Sequence, residues 1–489
     1  MGLRSGKVKE ARPRGKSTPK YSSRPLYMCG PLAKSQMIVV GRRNIFTRRK
    51  RRVEVEPQVA LAQAPHASHT RRPLLPPLWL LSALALVLFV WTANRNLADV
   101  NGYHCYALAF WGGRSAAATL PGASAPVPLR SCLVALSTFP AAPFHALPLE
   151  YGPLALLVFL PPLILPMAWY NTGFFIEMAL VAVALAWLLH RYGAPGSGHV
   201  WLVYALIGSM VLTAGRFDTL PATCVVIALI AARQGKLKWA YAALAVGTML
   251  KLYPAALLPL LLIESWRARE RELLWRGPAI FVAIVAVTET LATLINPASP
   301  MTPLSFMGAR CVQVESMPAM LSALWAQLTG AHITYPYAYN SDCLQTTSTG
   351  AFALIAQGAS LVGMALVFAQ YWRRRLTLVL TAALTLALLI LGSKVFSPQF
   401  LLWVSPLVAF EYGADAAVLL GWGSICLTTT LCFPLAYEGK FDPLLRQPTE
   451  IAVTLAAGVR NFAFTALTGA MLWRTQRNAP SSVIDLETP

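Results

Sequence analysis

The chain has 489 residues, 56% of them hydrophobic and 12% charged, with a mean hydropathy of +0.53. A soluble domain carries about 25% charged residues, so a water-soluble globular fold is excluded and the bilayer is the solvent for most of the chain. The net charge of +21 is unevenly placed: residues 1–72 hold 18 Lys and Arg against 3 Glu, and the remainder carries 23 basic and 17 acidic residues.

The arm 1–72 is rich in Lys, Arg, Pro and Ser and contains the run Arg48 to Arg52. It buries too little apolar surface to fold alone and is expected to be a disordered cytoplasmic segment that touches anionic lipid. Its basic residues are not interleaved with aromatics, so nucleic acid is not expected as a partner. No apolar stretch precedes a small-residue cleavage site, so no signal peptide is expected.

The first apolar span is Leu74 to Trp91, entered directly from the basic arm. Basic residues stay on the cytoplasmic side, which places residues 94–149 outside. Further apolar stretches run at 171–190, 199–214, 217–232, 277–296, 351–371, 376–393, 400–412, 414–433 and 451–473. Two others, 150–168 and 239–263, are interrupted. The first holds Pro161, Pro162 and Pro166, and the second holds Lys251-Leu-Tyr-Pro254. If 150–168 crossed fully, the basic segments Arg233 to Lys238, 264–276 and Arg373 to Arg375 would all fall outside. Read as re-entrant hairpins, the two segments leave 31 basic residues inside, 8 outside, and Lys251 and Arg460 within the membrane. Twelve complete spans are the alternative. The expected architecture is an all-α polytopic helical membrane protein with about ten full spans and two re-entrant hairpins. The membrane domain covers 73–477, with external segments 94–149 and 297–350 and a cytoplasmic tail 478–489.

The eight cysteines show no metal-binding spacing. Cys224, Cys426 and Cys432 sit in apolar runs and read as core residues. Cys105, Cys132, Cys311 and Cys343 fall in external segments, where an oxidising exterior permits disulfides and the pairing is open.

No P-loop, dinucleotide fingerprint, zinc-protease motif or nucleophile elbow is present, and neither a metal nor a cofactor is expected. The polar residues that remain lie at outer membrane boundaries. Asp99 follows the first span, and only one other carboxylate, Glu150, lies between residues 94 and 150. A carboxylate there can take the proton of an acceptor hydroxyl; on position alone it can equally start a helix. Glu150 opens Glu150-Tyr151-Gly-Pro153, as a sugar ligand or as an acid favouring a helix start. Arg216-Phe-Asp218 follows, as a local pair or a phosphate site. Lys251 at a hairpin tip, Arg310, and Lys394 in the break Lys394-Val-Phe-Ser-Pro-Gln399 complete a set of four cations on one side. So many cations near few carboxylates point to an anionic ligand such as a phosphate; snorkelling to headgroups explains each one singly. Arg310 and Glu315 share an external loop. Arg460, in the last span, and Glu289 both face the interior and are placed to pair.

These clusters resemble glycosyltransferase family 87, the polyprenyl-phosphate-mannose-dependent mannosyltransferases of the C-type membrane superfamily. The matching pieces are Asp99 with Tyr103, Leu149-Glu-Tyr-Gly-Pro-Leu-Ala155, Arg216-Phe-Asp218, Lys251-Leu-Tyr-Pro-Ala255, Arg310 to Ser316, and Ser393-Lys-Val-Phe-Ser-Pro-Gln-Phe-Leu-Leu-Trp403. The sequence departs from the pattern at Gly152, where a second proline is expected, and at Ser393, where asparagine is. The resemblance implies transfer of a hexose, mannose in most members, from a polyprenyl-monophosphate carrier to a lipid or glycan acceptor, with inversion. It implies a site on the outer face of a bacterial plasma membrane. Asp99 would be the general base and Arg216, Lys251, Arg310 and Lys394 the ligands of the donor phosphate. Tyr103, Glu150, Tyr151, Asp218, Tyr253, Gln313, Glu315 and Gln399 would contact sugar or acceptor. Two rival classes are a secondary transporter or lipid-linked saccharide flippase, for which a repeat is expected and none is visible, and a non-catalytic membrane scaffold.

Overall fold

A computed structural model describes residues 77–92, 98–120, 141–208, 210–268, 271–297, 302–339, 341–432 and 449–477. The basic arm, the tail 478–489 and Cys132 lie outside the described residues. Seventeen α-helices make up most of the remainder. Among the described residues the named strands are Tyr337–Ala338 and Ser341–Asp342, paired antiparallel with Tyr337 opposite Asp342.

Three helices are long and apolar enough to cross a membrane: Met167–Tyr192, Glu272–Ile295 and Thr349–Trp372. The last two turn apolar side chains outward, with Val282, Val287, Leu291 and Leu294 exposed on one and Leu354, Ile355, Leu361, Val362 and Leu366 on the other. Faces of this kind are at home in lipid and costly in water. The other apolar helices, such as Ser197–Ile207, Thr219–Arg233, Leu237–Leu250, Leu378–Gly392 and Ala416–Thr430, have 10–17 residues. Fifteen residues reach about 22 Å, short of a hydrocarbon core of about 30 Å. The expected ten spans are therefore not ten uninterrupted helices. The cause lies at the helix ends. The stretch 199–214 is cut at Gly208 into Ser197–Ile207 and Met210–Gly215. The next helix starts only at Thr219, because Arg216 to Asp218 form a turn. The helix Leu378–Gly392 stops before the irregular run 393–397, and a 3-10 turn, Pro398–Phe400, precedes Leu401–Tyr412.

The two segments with internal prolines are broken where those residues stand. Segment 150–168 holds only the five-residue helix Ala155–Phe159 and the 3-10 turns Pro161–Ile164 and Met167–Trp169. Proline lacks the N–H that a continuing helix needs. In the second, Leu237–Leu250 ends at an extended Lys251, and the chain resumes as Tyr253–Leu257 and Leu258–Arg267. The helices Leu237–Leu250 and Leu258–Arg267 pack on one another, so this segment turns back on itself.

The core gathers around Leu378–Gly392 and Leu401–Tyr412, which are buried along most of their length. Thr349–Trp372 approaches this core closely. A Cβ on Gly392 would lie 2.2 Å from the Ser360 Cβ, and Ser360 Oγ donates to the Leu388 carbonyl at 2.7 Å. Small residues at helix crossings do this in membrane proteins. One end of the bundle collects basic residues. Arg267 donates to the Trp372 carbonyl at 3.3 Å, Arg233 stands 5.3 Å over the Phe410 ring, and Arg474 pairs with Asp415 at 2.9 Å.

The helix Thr449–Arg477 is tied in by a buried charge. Arg460 pairs with Glu315 Oε2 at 3.1 Å, donates to the Glu315 carbonyl at 2.9 Å and lies 3.9 Å over the Phe396 ring. The expected partner Glu289 instead sits half-buried on the helix Arg271–Ile295; the low-dielectric interior has matched Arg460 with the nearer acid. Removing one member of such a pair strands the other. Arg460→Met should destabilise the protein by about 3–5 kcal/mol, read as a lowered Tm in detergent. The double variant Glu315→Met/Arg460→Met should recover most of that loss, and equal instability of the two variants would refute the pairing.

Candidate active site

A cavity of about 690 Å³ opens where the helix breaks meet. Eleven of the thirteen expected site residues line it: Asp99, Tyr103, Glu150, Tyr151, Arg216, Lys251, Tyr253, Arg310, Gln313, Glu315 and Gln399. They come from six separate stretches of chain, spread over three hundred residues of sequence. Asp218 and Lys394 are not in the lining.

Asp99 lies in the first turn of the helix Ala98–Ala117, where the helix dipole favours an acid. Its Oδ2 is also in an ion pair with Arg216 Nη2. Arg216 thus serves Asp99 and not its sequence neighbour Asp218. Burial raises the Asp99 carboxyl above the ordinary aspartate value, with Arg216 pulling the other way. Glu150 is raised for the same reason, with Arg310 opposing. Glu150 does not start a helix: the next helix begins at Ala155, and its capping position is Leu154, without a side-chain cap.

Asp218 has no exposed surface and stands behind the lining. It occupies the N-cap position of Thr219–Arg233 without capping it. Its Oδ1 instead accepts from Lys251 Nζ at 2.6 Å and from Trp403 Nε1 at 2.7 Å. Trp403 stacks on Tyr253 and on Phe400, each with ring centroids 4.0 Å apart. Lys251 Nζ lies 5.5–5.7 Å from the ring centroids of Tyr151, Phe217, Phe400 and Trp403. The lysine is held by one carboxylate and a box of aromatic rings. Tyr103 extends the same wall, stacked on Phe159 at 4.5 Å.

The departure at Gly152 has a steric reason. A Cβ there would fall 1.9 Å from the Met249 carbonyl oxygen. Gly152 N donates to the Leu250 carbonyl and Leu154 N to the Met249 carbonyl, both at 3.3 Å. The Glu150–Tyr151 segment is thereby laid directly against the approach to Lys251. Ser393 supplies an oxygen that accepts from Val395 N at 3.1 Å.

The opposite wall is an irregular run from Arg310 to Ser316. Gln313 N donates to the Lys394 carbonyl at 2.9 Å, Val314 N to the Asp342 carbonyl at 3.1 Å and Leu344 N to the Val312 carbonyl at 2.8 Å. A Cys311–Cys343 disulfide joins the same two segments, with Cα atoms 5.9 Å apart; Cys105 is disulfide-bonded as well. Arg310 donates to Ser341 Oγ at 3.5 Å and lies 5.6 Å over the Phe306 ring. It forms no ion pair among the described residues, and its Nε has no hydrogen-bond partner. Tyr253 Oη and Gln399 Oε1 are likewise buried at this cavity without hydrogen-bond partners among the described residues. Gln313 joins Ser397 at 3.2 Å to Glu315 at 3.3 Å, so Arg460 braces the wall from behind. Lys394 points its Nζ at the Gly308 carbonyl, 2.7 Å away.

The charge balance differs from the expected excess of cations. Arg216, Lys251 and Arg310 line the cavity together with Asp99, Glu150, Glu315 and Asp342. Two of the three cations are consumed by ion pairs. No group of three or more His, Cys, Asp or Glu among the described residues can hold a metal ion.

Sequence reasoning missed Trp403 as a site residue, although the motif that ends on it was visible. It missed Phe306, Tyr337, Tyr339, Ser341 and Asp342 entirely, all of them in the lining. The hairpin is two residues per strand, too short for any periodic signal.

No curated protein matches the chain. A family model, glycosyltransferase family 87, matches residues 149–398, which is just over half of the sequence. The match takes in the cavity residues from Glu150 to Glu315. Asp99 and Tyr103 precede it, and Gln399, Trp403 and Arg460 follow it. A transferase family sets aside the transporter and scaffold readings. With apolar helices around one polar cavity and this match across its walls, the chain belongs to glycosyltransferase family 87.

Proposed function

We propose that this glycosyltransferase moves a hexose, mannose in the first instance, from a polyprenyl-monophosphate carrier to a lipid or glycan acceptor on the outer face of the membrane. The anomeric centre inverts. The acceptor oxygen attacks the anomeric carbon, the bond from that carbon to the phosphate oxygen breaks, the hydroxyl proton passes to Asp99, and the carrier leaves as its phosphate. The leaving group needs no strong acid, only a preorganised positive charge where its negative charge grows.

The observation that carries this reading is the contrast among the cavity cations. Arg216 and Lys251 are each in direct contact with a carboxylate, whereas Arg310 reaches the same cavity with no carboxylate at ion-pair distance among the described residues, Glu150 acting on it only from farther off. Arg310 is therefore the phosphate ligand, and its planar guanidinium suits a phosphate. Arg216 engages one oxygen of Asp99 and keeps the carboxylate ionised and oriented. The second oxygen then serves the acceptor hydroxyl. Lys251, paired with Asp218, holds the aromatic wall in place, and Lys394 braces the helix Thr302–Ala309 from outside the lining. Glu150 and Gln399 supply hydrogen-bond partners to sugar hydroxyls, and Gln313 and Glu315 hold the wall behind them.

The decisive assay incubates the purified protein with radiolabelled polyprenyl-phosphate mannose and membrane lipids, and identifies the glycosylated product by mass spectrometry. No transfer from any polyprenyl-phosphate hexose would reject the donor class. In the same assay Asp99→Asn should lower turnover about 10²–10⁴-fold, the usual contribution of a positioned base, with donor KM little changed. Asp99 must be ionised to act, and its folded-state value is raised. The parental rate should therefore fall on the acid side with a midpoint above 3.8. That limb should be absent from the residual activity of Asp99→Asn, and its persistence would point to another base.

Arg310→Gln should raise donor KM about ten- to a hundredfold, the loss of one charged hydrogen bond. Lys394→Gln should change it far less, and the reverse order would move the phosphate to Lys394.

A further inference from the structure

We propose that the external hairpin, Tyr337–Ala338 with Ser341–Asp342, is the acceptor-recognition platform of the cavity, and that the acceptor presents a neutral sugar to it. The proposal rests on the transfer reading above and names the substrate class of its second partner.

The hairpin contributes Tyr337, Tyr339, Ser341 and Asp342 to the cavity lining. Its two tyrosines are 57% and 41% exposed, large aromatic faces left uncovered at a polar opening. Tyr339 has φ +54°, in the left-handed region that suits Gly or Asn at a tight turn. An aromatic residue there strains the local backbone, and such conflicts cluster where a side chain is needed for function. The ring makes an edge contact with Phe306 at 5.7 Å, so it is directed by packing and not left loose.

The platform is rigid. The Cys311–Cys343 disulfide, the Val314–Asp342 and Leu344–Val312 backbone bonds and the Arg310–Ser341 contact all tie it to the irregular run from Arg310 to Ser316. Whatever rests on Tyr337 and Tyr339 is thereby held at a fixed place relative to Arg310, the donor-phosphate ligand.

The chemistry selects the ligand. Sugar C–H faces rest on aromatic rings, and sugar hydroxyls donate to carboxylates. The cavity offers these tyrosines together with Asp342 on the hairpin and Glu150 and Asp99 across from it. A neutral sugar meets these groups without adding a second anion to the cavity that receives the donor phosphate. Interfacial tyrosines also anchor proteins to headgroups, but an anchor would affect donor and acceptor alike.

The test uses the full chain in lipid nanodiscs, with methyl α-mannoside as the neutral probe and inositol 1-phosphate as the anionic one. Tyr339→Gly removes the ring and tolerates the positive φ, so the fold is preserved; Tyr337→Ala is the second variant. Ligand-observed NMR gives the Kd of each probe without donor. The transfer assay gives KM for methyl α-mannoside and the rate of donor hydrolysis to water. Each variant should weaken methyl α-mannoside binding and raise its KM about two- to tenfold, the range of one aromatic contact, with donor hydrolysis unchanged. Variants that bind the mannoside like the parent overturn the proposal, as does a parent that does not bind it. Tighter parental binding of inositol 1-phosphate also overturns it, and so does an equal loss in donor hydrolysis. A parent that binds the mannoside through these tyrosines yet cleaves no donor would reject the transfer reading and leave the platform standing.

Discussion

Lys251 stands at a break between two apolar helices, and an ammonium in that position requires a partner. Asp218, wholly buried, supplies it at 2.6 Å. Each of these charges alone would be costly to bury, and together they are tolerable only with good geometry and further hydrogen bonds. The same carboxylate oxygen accepts from Trp403, which fixes the tryptophan between Tyr253 and Phe400. Three stretches of chain, around residues 218, 251 and 403, are thus locked to one oxygen atom. The Glu150–Tyr151 segment is then pressed against the end of the helix that carries Lys251, at a contact only glycine permits. The wall of the cavity that bears the tyrosines follows from that one ion pair.

A second buried pair does the same for the other wall. Arg460 joins the last helix to Glu315, and Glu315 joins Gln313 and Ser397. The two pairs spend their charges on architecture. Among the described cations that line the cavity, Arg216 and Lys251 hold the site together, while Arg310 faces it with no carboxylate at ion-pair distance. A count of basic residues makes no such distinction, because it does not know which carboxylate will arrive in three dimensions.

This explains what was and was not legible in the sequence. Asp99, Glu150, Arg216, Lys251, Arg310 and Gln399 stood out as polar residues at the ends of apolar runs, and they do meet in one cavity. Prolines 161, 162, 166 and 254 marked the breaks, since a missing N–H is a local property. The partners were not legible. Arg216 beside Asp218 reads as a pair, yet the turn between two helices sends Arg216 to Asp99 and Asp218 to Lys251. Arg460 was matched with Glu289 on depth alone, and the chain brings Glu315 there from a loop. Apolar length also overstated the helices, because the residues that build the cavity cut several of them short. The hairpin at 337–342 was invisible because its order comes from a disulfide and cross-wall hydrogen bonds, not from a pattern of its own.

The position of Asp99 carries the argument one step further. It lies ahead of the family-matched segment, on a helix that begins just past the first apolar stretch, while Arg216 lies inside that segment. Their ion pair is the link between the two. Burial on its own favours the neutral acid, and a neutral acid cannot take a proton; Arg216 works against that tendency while occupying one oxygen. A carboxylate left fully solvated would be ionised but weakly basic. One held partly out of water is a better proton acceptor, because its charge is stabilised less well than in water. On the proposed mechanism the proton arriving at Asp99 loosens its hold on Arg216 at the moment the departing phosphate gains charge. The cation released on one side of the cavity then adds to the potential that Arg310 already presents to the leaving group.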